Sequence, residues 1–243
     1  MICTLARVKA PTKKAVVCLP TYNEAENLEK MVRALAGKGV RVLIVDDSSP
    51  DGTGEIADGL AAELDDVEVL HRPHKEGIGP AYLAAFKHVL QGDSDLILEM
   101  DCDFSHDPAD VPRLIAAAEA GADLVLGSRY VRGGGVGNWG LLRRAISRGA
   151  SFYTGLFLQM RVKDPTGGFK CFRRRVLETL DLDAITPRGY AFQIETTYRV
   201  RRAGFRIAEI PITFSERTAG TSKMSRAIVL EAVWAVPLLR LRG

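Results

Sequence analysis

Residues 96–103 read Leu96-Ile97-Leu98-Glu99-Met100-Asp101-Cys102-Asp103, an apolar run that ends directly in two carboxylates separated by one residue. A short run of this kind, bounded by polar residues, predicts a buried strand over Leu96 to Met100. Two further apolar runs also end in a polar cluster: Ala15 to Leu19 before Thr21-Tyr22-Asn23-Glu24, and Val40 to Val45 before Asp46-Asp47. Polar residues therefore follow three predicted strands at the point where each strand ends.

Helical spacing of apolar residues separates these strands. The stripe Leu28, Met31, Val32 and Leu35 predicts a helix, which Asn23 would cap with Glu26 three residues on. Further helices are predicted at Ile56 to Leu64, Tyr82 to Leu90 and Val111 to Ala120, and further strands at Val67 to Leu70 and Leu124 to Leu126. This alternation predicts an α/β fold with a mainly parallel sheet flanked by helices. Ligands bind such sheets outside the carboxyl ends of the strands, where the polar clusters lie.

The second half of the chain is less regular. Helices are predicted over Leu141 to Leu158 and Phe192 to Ala203, and a strand over Arg206 to Phe214, broken by Pro211. The string Gly135-x-Gly137-x-x-Gly140 matches the dinucleotide-binding fingerprint, but it does not directly follow the first strand and lacks the acidic residue about 20 positions on. We therefore interpret it as a flexible glycine-rich loop.

Composition excludes several classes of protein. Of the 243 residues, 47% are hydrophobic and 26% are charged, which is typical of a globular chain and not of a disordered one. The net charge of +3 is too small to imply nucleic acid, and no nucleic-acid-binding module is found, so no such partner is expected. The four cysteines form no C-x-x-C pair, which favours a reducing compartment. No apolar window is long enough to predict a membrane-spanning helix.

Asp101 and Asp103 form the pattern D-x-D at a predicted strand end. Mg²⁺ and Mn²⁺ take oxygen ligands and leave positions open for substrate phosphates, so the pair predicts a metal site. The pattern also fits a solvated acidic turn or a helix cap. Asp46 and Asp47 end a neighbouring strand, which favours the metal site because carboxylates then converge from two places. We interpret His106 as a surface or capping residue rather than as a further ligand.

The sequence around these clusters resembles the family-2 glycosyltransferases, which have the glycosyltransferase A-type fold. Within that family it is most similar to the polyprenol- or dolichol-phosphate mannose synthases, and the resemblance covers roughly residues 15 to 225. The matching segments are 19–24 (Leu-Pro-Thr-Tyr-Asn-Glu), 45–53, 101–103, 127–130 (Gly-Ser-Arg-Tyr), 164–170 (Asp-Pro-Thr-Gly-Gly-Phe-Lys), 189–195 and 220–224 (Gly-Thr-Ser-Lys-Met). Because they occur in the family's order, chance is a poor explanation.

The resemblance implies a reaction and a set of site residues. It implies inverting transfer of mannose from GDP-mannose to a polyprenyl or dolichyl monophosphate by direct displacement. The nucleotide sugar would be bound by Pro20, Tyr22, Glu24, Asp47, Asp101 and Asp103. The divalent metal, Mg²⁺ or Mn²⁺, would be held on the donor diphosphate by Asp101 and Asp103, with Ser105 standing where some relatives have a third metal-site glutamine.

The same resemblance implies a site for the acceptor phosphate, formed by Arg129, Arg143, Ser147 and Lys223. Asp103, Arg129 and Lys223 would then carry the catalysis. Arg143 and Ser147 are four residues apart, so they share one face of the predicted helix. Whether Arg143 or the adjacent Arg144 points inward is left open. Glu195 is expected to orient a nearby arginine or a sugar hydroxyl rather than to act as a base.

Two segments point to a membrane surface. Residues 129–163 contain seven basic and no acidic residues interleaved with apolar ones, which is typical either of an interfacial amphipathic helix or of a core helix with an arginine-rich outer face. The segment from Ala227 to Leu239 is apolar apart from Glu231 and too short to span a bilayer. We expect a catalytic domain at 1–225 and a docking segment at 226–243. The docking segment would attach the enzyme peripherally to the cytoplasmic face of a membrane, or to a small membrane subunit.

Two other functions remain open at this level. A glucosyltransferase that uses another nucleotide sugar on the same lipid would need only small changes in the donor pocket. A non-catalytic nucleotide-sugar-binding module on the same fold is the second alternative, and the intact Asp101, Asp103 and Lys223 argue against it.

Overall fold

A seven-stranded sheet organises the protein. The computed structural model describes residues 14–185, 190–215, 236–237 and 239–241. The sheet strands are β1 (Ala15–Thr21), β2 (Val40–Asp46), β3 (Val67–His71), β4 (Leu96–Glu99), β5 (Leu124–Ser128), β7 (Lys170–Arg173) and β8 (Ile207–Pro211). Their spatial order is β3-β2-β1-β4-β7-β5-β8, and every neighbouring pair is parallel except the two pairs that contain β7. The mainly parallel sheet is thus confirmed.

Helices cover both faces of this sheet. They are α1 (Leu28–Leu35), α2 (Thr53–Glu63), α3 (Ile78–Val89), α4 (Val111–Glu119), α5 (Leu141–Phe157), α6 (Arg174–Thr179) and α7 (Tyr190–Arg202). Residues 236–237 and 239–241 are also helical. The predicted helices and strands agree with these bounds to within a few residues; the sequence analysis missed β7 and α6, which the apolar periodicity does not mark.

Two apolar cores lie on opposite sides of the sheet, as the alternating side chains of a buried strand require. Val17 and Leu19 of β1 point to the first core, which contains the apolar faces of α1, α2 and α4. Val16 and Cys18 point to the second, which contains α3, α6, α7 and the turn after α5. The sheet is therefore buried on both faces, which explains why its central strands read as continuous apolar runs.

The predicted cap of the first helix is wrong. Helix α1 begins at Leu28, and Asn23 instead has a φ of +57° and gives its backbone N–H to Ser49 Oγ. The next two amides donate to side chains as well: that of Glu24 to Thr53 at the start of α2, and that of Ala25 to Asp51 in the loop after β2. Those donors are satisfied by tertiary contacts, and the carbonyl of Glu24 accepts the amides of Asn27 and Leu28, so the turn into α1 starts at Glu24 and not at Asn23.

Two other local expectations are corrected. The glycine-rich loop is partly a strand, because β6 (Gly135–Val136) pairs in parallel with β9 (Thr213–Phe214). The break in the last strand falls at Ile212 and not at Pro211, which is the final residue of β8 and pairs with Ser128. Strand β8 is at the sheet edge, where proline is tolerated.

Within the described ranges, no helix combines the length and the apolar character needed to cross a bilayer. Most of the segment 226–243, predicted as a docking element, lies outside the described residues, as does Lys223.

Candidate active site

The loops after β1 and β2 are bound together at the carboxyl edge of the sheet. Thr21 Oγ1 donates to Asp46 Oδ1 at 3.1 Å, and Asp46 accepts from the backbone N–H and the hydroxyl of Ser49 at 3.1 and 2.6 Å. Asn23 and Ser48 adopt left-handed backbone conformations in these two loops. Such strain in non-glycine residues concentrates at functional sites. The loops thus form a fixed wall at the point where the sequence predicts the nucleotide.

Asp47 and Tyr22 line this wall, and each has a cationic neighbour that the sequence analysis did not select. Asp47 is buried and forms an ion pair with Arg72, which follows β3 at the same edge. Burial raises the pKa of Asp47, and Arg72 offsets part of that effect. Lys75 Nζ lies 3.7 Å from the centre of the Tyr22 ring. The sequence signal that could have identified Arg72 is its position directly after a strand. A single arginine in a loop does not by itself predict a site residue.

The loop after β4 presents Asp101 and Asp103. Asp103 is buried, and its Oδ1 accepts the backbone N–H of Ser105 at 3.0 Å. Phe104, between them, has a φ of +59°, a conformation that bulky residues rarely adopt. The tight turn therefore places two acidic residues within one short segment at the sheet edge.

His106 closes this loop from beneath, so its interpretation as a surface or capping residue is wrong. Its ring is buried, stacks on Phe169 at 4.9 Å and contacts the edge of Phe214. Its Nδ1 accepts the backbone N–H of Asp101 at 3.2 Å. Burial lowers the pKa of His106 to about 4, against the opposing effect of Asp103, so the ring is neutral near pH 7. The cap of the following turn is Asp107, which bonds the amide of Ala109.

The loop suits a divalent cation. Within the described residues no set of three or more His, Cys, Asp and Glu side chains converges as a metal cluster. The two carboxylates of Asp101 and Asp103 match instead a site that leaves positions for substrate phosphates. The hydroxyl of Ser105 is buried with no hydrogen-bond partner among the described residues, which is the kind of group that a bound ligand or its water satisfies.

A buried polar layer supports the D-x-D loop. Glu99, two residues before Asp101, is fully buried with Lys170 Nζ at 3.9 Å, and Lys170 donates to the carbonyl of Gln193 at 2.9 Å. Burial raises the pKa of Glu99 to about 7 and lowers that of Lys170 to about 8. This pair connects β4, β7 and α7 directly under the site. The sequence analysis missed it because an acid within a strand and a lysine 71 residues later carry no local signal of pairing.

Arg129 follows β5 and lies at the expected edge. Its guanidinium makes a bidentate ion pair with the buried Asp164, through Nε at 2.7 Å and Nη2 at 2.6 Å, and its backbone N–H donates to the same carboxylate. Nη2 also donates to Thr166 Oγ1 at 2.8 Å. Two parallel charge-assisted bonds fix the plane of the guanidinium. The side chain is therefore rigid before any substrate binds.

Arg129 and Arg143, two of the predicted acceptor residues, lie over the ring of Trp139. The guanidinium of Arg143 lies 4.1 Å from the centre of this ring and that of Arg129 lies 5.8 Å from it. Ser147 accepts a hydrogen bond from Tyr130 Oη at 2.6 Å. Arg143 is half-buried and Arg144 is exposed, so Arg143 is the inward residue of the two. Trp139 and Tyr130 were not selected from the sequence.

Glu195 has the role expected for it. The carboxylate is buried, and its Oε1 accepts from Arg199 Nε at 2.6 Å, so it orients a nearby arginine. Within the described residues, the predicted site residues thus form two groups: Tyr22, Glu24 and Asp47 on the loops after β1 and β2, and Arg129, Arg143 and Ser147 near Trp139 and Tyr130.

Comparison with known proteins identifies the family of this chain. Residues 16–181 match the model of glycosyl transferase family 2. The chain is 47% identical over 236 residues to the polyprenol monophosphomannose synthase of Mycolicibacterium smegmatis, covering 96% of this chain and 89% of that protein.

Solved structures share the glycosyltransferase A-type fold. One is glucosyl-3-phosphoglycerate synthase from Mycobacterium tuberculosis with Mn²⁺, UDP and glucosyl-3-phosphoglycerate, at 18% identity and a TM-score of 0.68 over 94% of this chain and 79% of that one. Another is a mannosyltransferase from Pyrobaculum calidifontis with GDP-mannose and Mn²⁺, at 17% identity and a TM-score of 0.59 over 94% and 73%. With a family match over more than half its length and a relative 47% identical over nearly all of it, this chain belongs to glycosyltransferase family 2.

Proposed function

We propose that this glycosyltransferase moves mannose from GDP-mannose to a polyprenyl monophosphate with inversion at the sugar. The observation that carries the proposal is the pairing of an acidic loop, Asp101 to Asp103, with an arginine cluster beside it, Arg129 and Arg143. One group suits a donor diphosphate bound through a cation, and the other suits an anionic acceptor. The similarity to a polyprenol monophosphomannose synthase supports the choice of sugar and lipid.

The acceptor defines what the protein must do. A phosphate monoester is already an anion near neutral pH, so little is required of a general base. The harder tasks are to hold two anionic substrates together and to stabilise the departing diphosphate. Arg129, held by Asp164, would meet the acceptor phosphate without having to reorganise at the moment of reaction.

A divalent cation, Mg²⁺ or Mn²⁺, would supply Lewis acidity at the donor diphosphate. Asp101 and Asp103 would hold it, with Ser105 acting directly or through water. Proteins of the same fold that contain Mn²⁺ support this assignment. His106 accepts the backbone N–H of Asp101, and this contact would help to keep both carboxylates oriented toward the cation.

The donor base and ribose would lie against Pro20, Tyr22, Glu24 and Asp47, which come from the ends of β1 and β2. A structure with GDP-mannose from another protein of this fold supports the choice of nucleotide. Lys75, over the ring of Tyr22, adds a positive charge to this wall, which suits a donor that carries two phosphates. Arg72 is paired with both Asp47 and Glu76 and serves to hold Asp47 in place.

The choice of nucleotide can be tested by thermal unfolding. We expect GDP with Mg²⁺, at a hundredfold excess over its Kd, to stabilise the folded protein by about 2.7 kcal/mol, or roughly 5–10 °C in Tm, because it binds only the folded state. UDP at the same concentration is the matched control and should produce little shift. Stabilisation by UDP and not by GDP would contradict the donor and favour a glycosyltransferase that uses a different sugar.

The acceptor cluster can be tested with two adjacent arginines. Arg143→Ala should raise the Michaelis constant for a short polyprenyl phosphate about ten- to hundredfold, since it removes a charge-assisted phosphate contact. Arg144→Ala removes the same charge from the outward side and should behave like the wild type. Lys223→Ala should resemble Arg143→Ala. Donor affinity should be unchanged in all three; a loss of donor affinity with normal acceptor kinetics would assign Arg143 to the donor site.

A membrane-bound acceptor requires the enzyme to work at a membrane surface, and helix α5 supports peripheral attachment there. Its buried residues are the polar Ser151 and Thr154. Its large apolar residues are instead exposed: Leu141, Leu142, Ile146, Phe152, Leu156 and Phe157. At 3.6 residues per turn these six share one side of the helix, which we call the outer face of α5. An apolar face bordered by arginines is typical of an interfacial helix on the cytoplasmic leaflet.

A further inference from the structure

A cationic cleft lies at the C-terminal end of α5, and it shares no lining residue with the acidic loop. It has a volume of about 320 Å³ and is lined by Leu158, Gln159, Tyr198, Arg201, Arg202 and Arg240. Three guanidinium groups thus enter one concave space. No carboxylate lines it, and within the described part of the chain no ion pair engages any of the three.

The contacts of each arginine leave the cleft positive. Arg240 gives a hydrogen bond to the carbonyl of Phe157, which joins the C-terminal helical residues to the end of α5. The guanidinium of Arg202 lies 6.0 Å from the centre of the Tyr198 ring. By contrast Arg199, one turn earlier on α7, is neutralised by Glu195. Basic residues in the last turn of a helix do complement its dipole, but that effect does not require Arg240 to converge from a separate element.

The cleft lies at the C-terminal end of the helix that carries the apolar face. Leu158 of the cleft directly follows Phe157 of the outer face, and Leu241, which is 82% exposed, directly follows Arg240. A ligand that binds the cationic cleft and also contacts the apolar residues needs an anionic group close to an aliphatic chain. Guanidinium pairs bind phosphate in this way through charge-assisted hydrogen bonds.

We infer that this cleft, formed by Arg201, Arg202 and Arg240, binds the headgroup phosphate of an anionic membrane phospholipid while the outer face of α5 enters the surrounding leaflet. The site is separate from the acceptor cluster at Arg129 and Arg143. It makes attachment depend on the charge of the membrane and fixes the orientation of the enzyme on it. The inference rests on the proposed function, because it presumes that the enzyme works at a membrane surface.

The test is co-flotation of the full chain with vesicles of two compositions. One is phosphatidylcholine alone, and the other contains about 30 mol% of the anionic lipid phosphatidylglycerol. Wild-type protein should partition more strongly onto the anionic vesicles. Arg201→Gln/Arg202→Gln should reduce that partitioning about thirtyfold, since each arginine near an anionic surface contributes roughly fivefold. The matched control, Lys30→Gln/Lys38→Gln, removes two charges from the α1 side of the sheet and should lose little.

Two further measurements separate the possible failures. Phe152→Asp/Leu156→Asp should abolish binding to both kinds of vesicle. Arg201→Gln/Arg202→Gln should retain turnover on a short, water-soluble polyprenyl phosphate, and that turnover verifies that the arginine variant is folded. Dihexanoyl phosphatidylglycerol below its micelle concentration should raise the Tm of the wild type and not of the arginine variant, whereas inorganic phosphate should not.

Equal binding of wild type and Arg201→Gln/Arg202→Gln to anionic vesicles would overturn the cleft while leaving membrane attachment intact. Binding of wild type to neither vesicle would overturn attachment itself. An equal thermal shift with inorganic phosphate would show a general anion site and reject the lipid.

Discussion

Asp103→Asn should reduce turnover by about 10²–10³-fold. The substitution keeps the shape of the side chain and removes the charge that would neutralise the donor diphosphate, and stabilising developing charge in such sites contributes effects of this size. Asp103 is buried and its Oδ1 already orders the loop through the Ser105 amide, a contact that asparagine can keep. The loss should therefore appear in turnover and in metal activation rather than in folding.

A matched control lies in the same loop. Asp107 is exposed and caps the turn through the amide of Ala109, and asparagine caps nearly as well, so Asp107→Asn should leave turnover and Tm unchanged. Turnover as a function of Mn²⁺ concentration is measured for both variants, together with Mn²⁺ binding in the presence of GDP. If Asp103→Asn turns over within a few-fold of wild type while a chelator still abolishes activity, the metal is held elsewhere.

Asp164→Ala should lower the free energy of unfolding by about 3–5 kcal/mol, because it leaves the guanidinium of Arg129 buried without its carboxylate. Acceptor use should be lost as well, since the arginine is no longer held in one plane. Urea unfolding and acceptor kinetics measure the two effects. Glu63→Ala is the comparison: it breaks the exposed ion pair with Arg33, and exposed pairs contribute little.

A double variant separates stability from function. Replacing both members of a buried pair by apolar residues is often close to neutral, so Arg129→Leu/Asp164→Leu should recover much of the lost stability. It should remain inactive with lipid phosphate if Arg129 contacts the acceptor. Full activity in this stable variant would mean that the pair serves the fold alone and that the acceptor phosphate is bound by other residues.

The sequence by itself determined the architecture and the sheet edge at which the candidate site lies. Apolar runs of strand length ending in Thr21-Tyr22-Asn23-Glu24, Asp46-Asp47 and Asp101-Cys102-Asp103 required a mainly parallel sheet and placed their polar ends at one edge. That inference works because burial on both faces needs continuous apolar strands, and because parallel strands share a carboxyl edge. Arg129 was placed at this edge by the same reasoning.

Only the tertiary structure decided which side chains meet across distant segments. The partner of Arg129 is 35 residues away, and Trp139, which gathers Arg129 and Arg143, carries no local pattern that separates it from a core residue. His106 looked like a surface residue because a single histidine after a turn has no periodicity; its burial comes from Phe169 and Phe214, far along the chain.

The outer face of α5 is the clearest case of this division. Its sequence fits a core helix with an arginine-rich exterior as well as an interfacial helix, because periodicity reports that one face is apolar and not which way that face turns. The packing of Ser151 and Thr154 against the domain decided the direction and left Phe152 and Leu156 outside. Local pattern fixes the faces of an element, whereas its orientation is a property of everything it packs against.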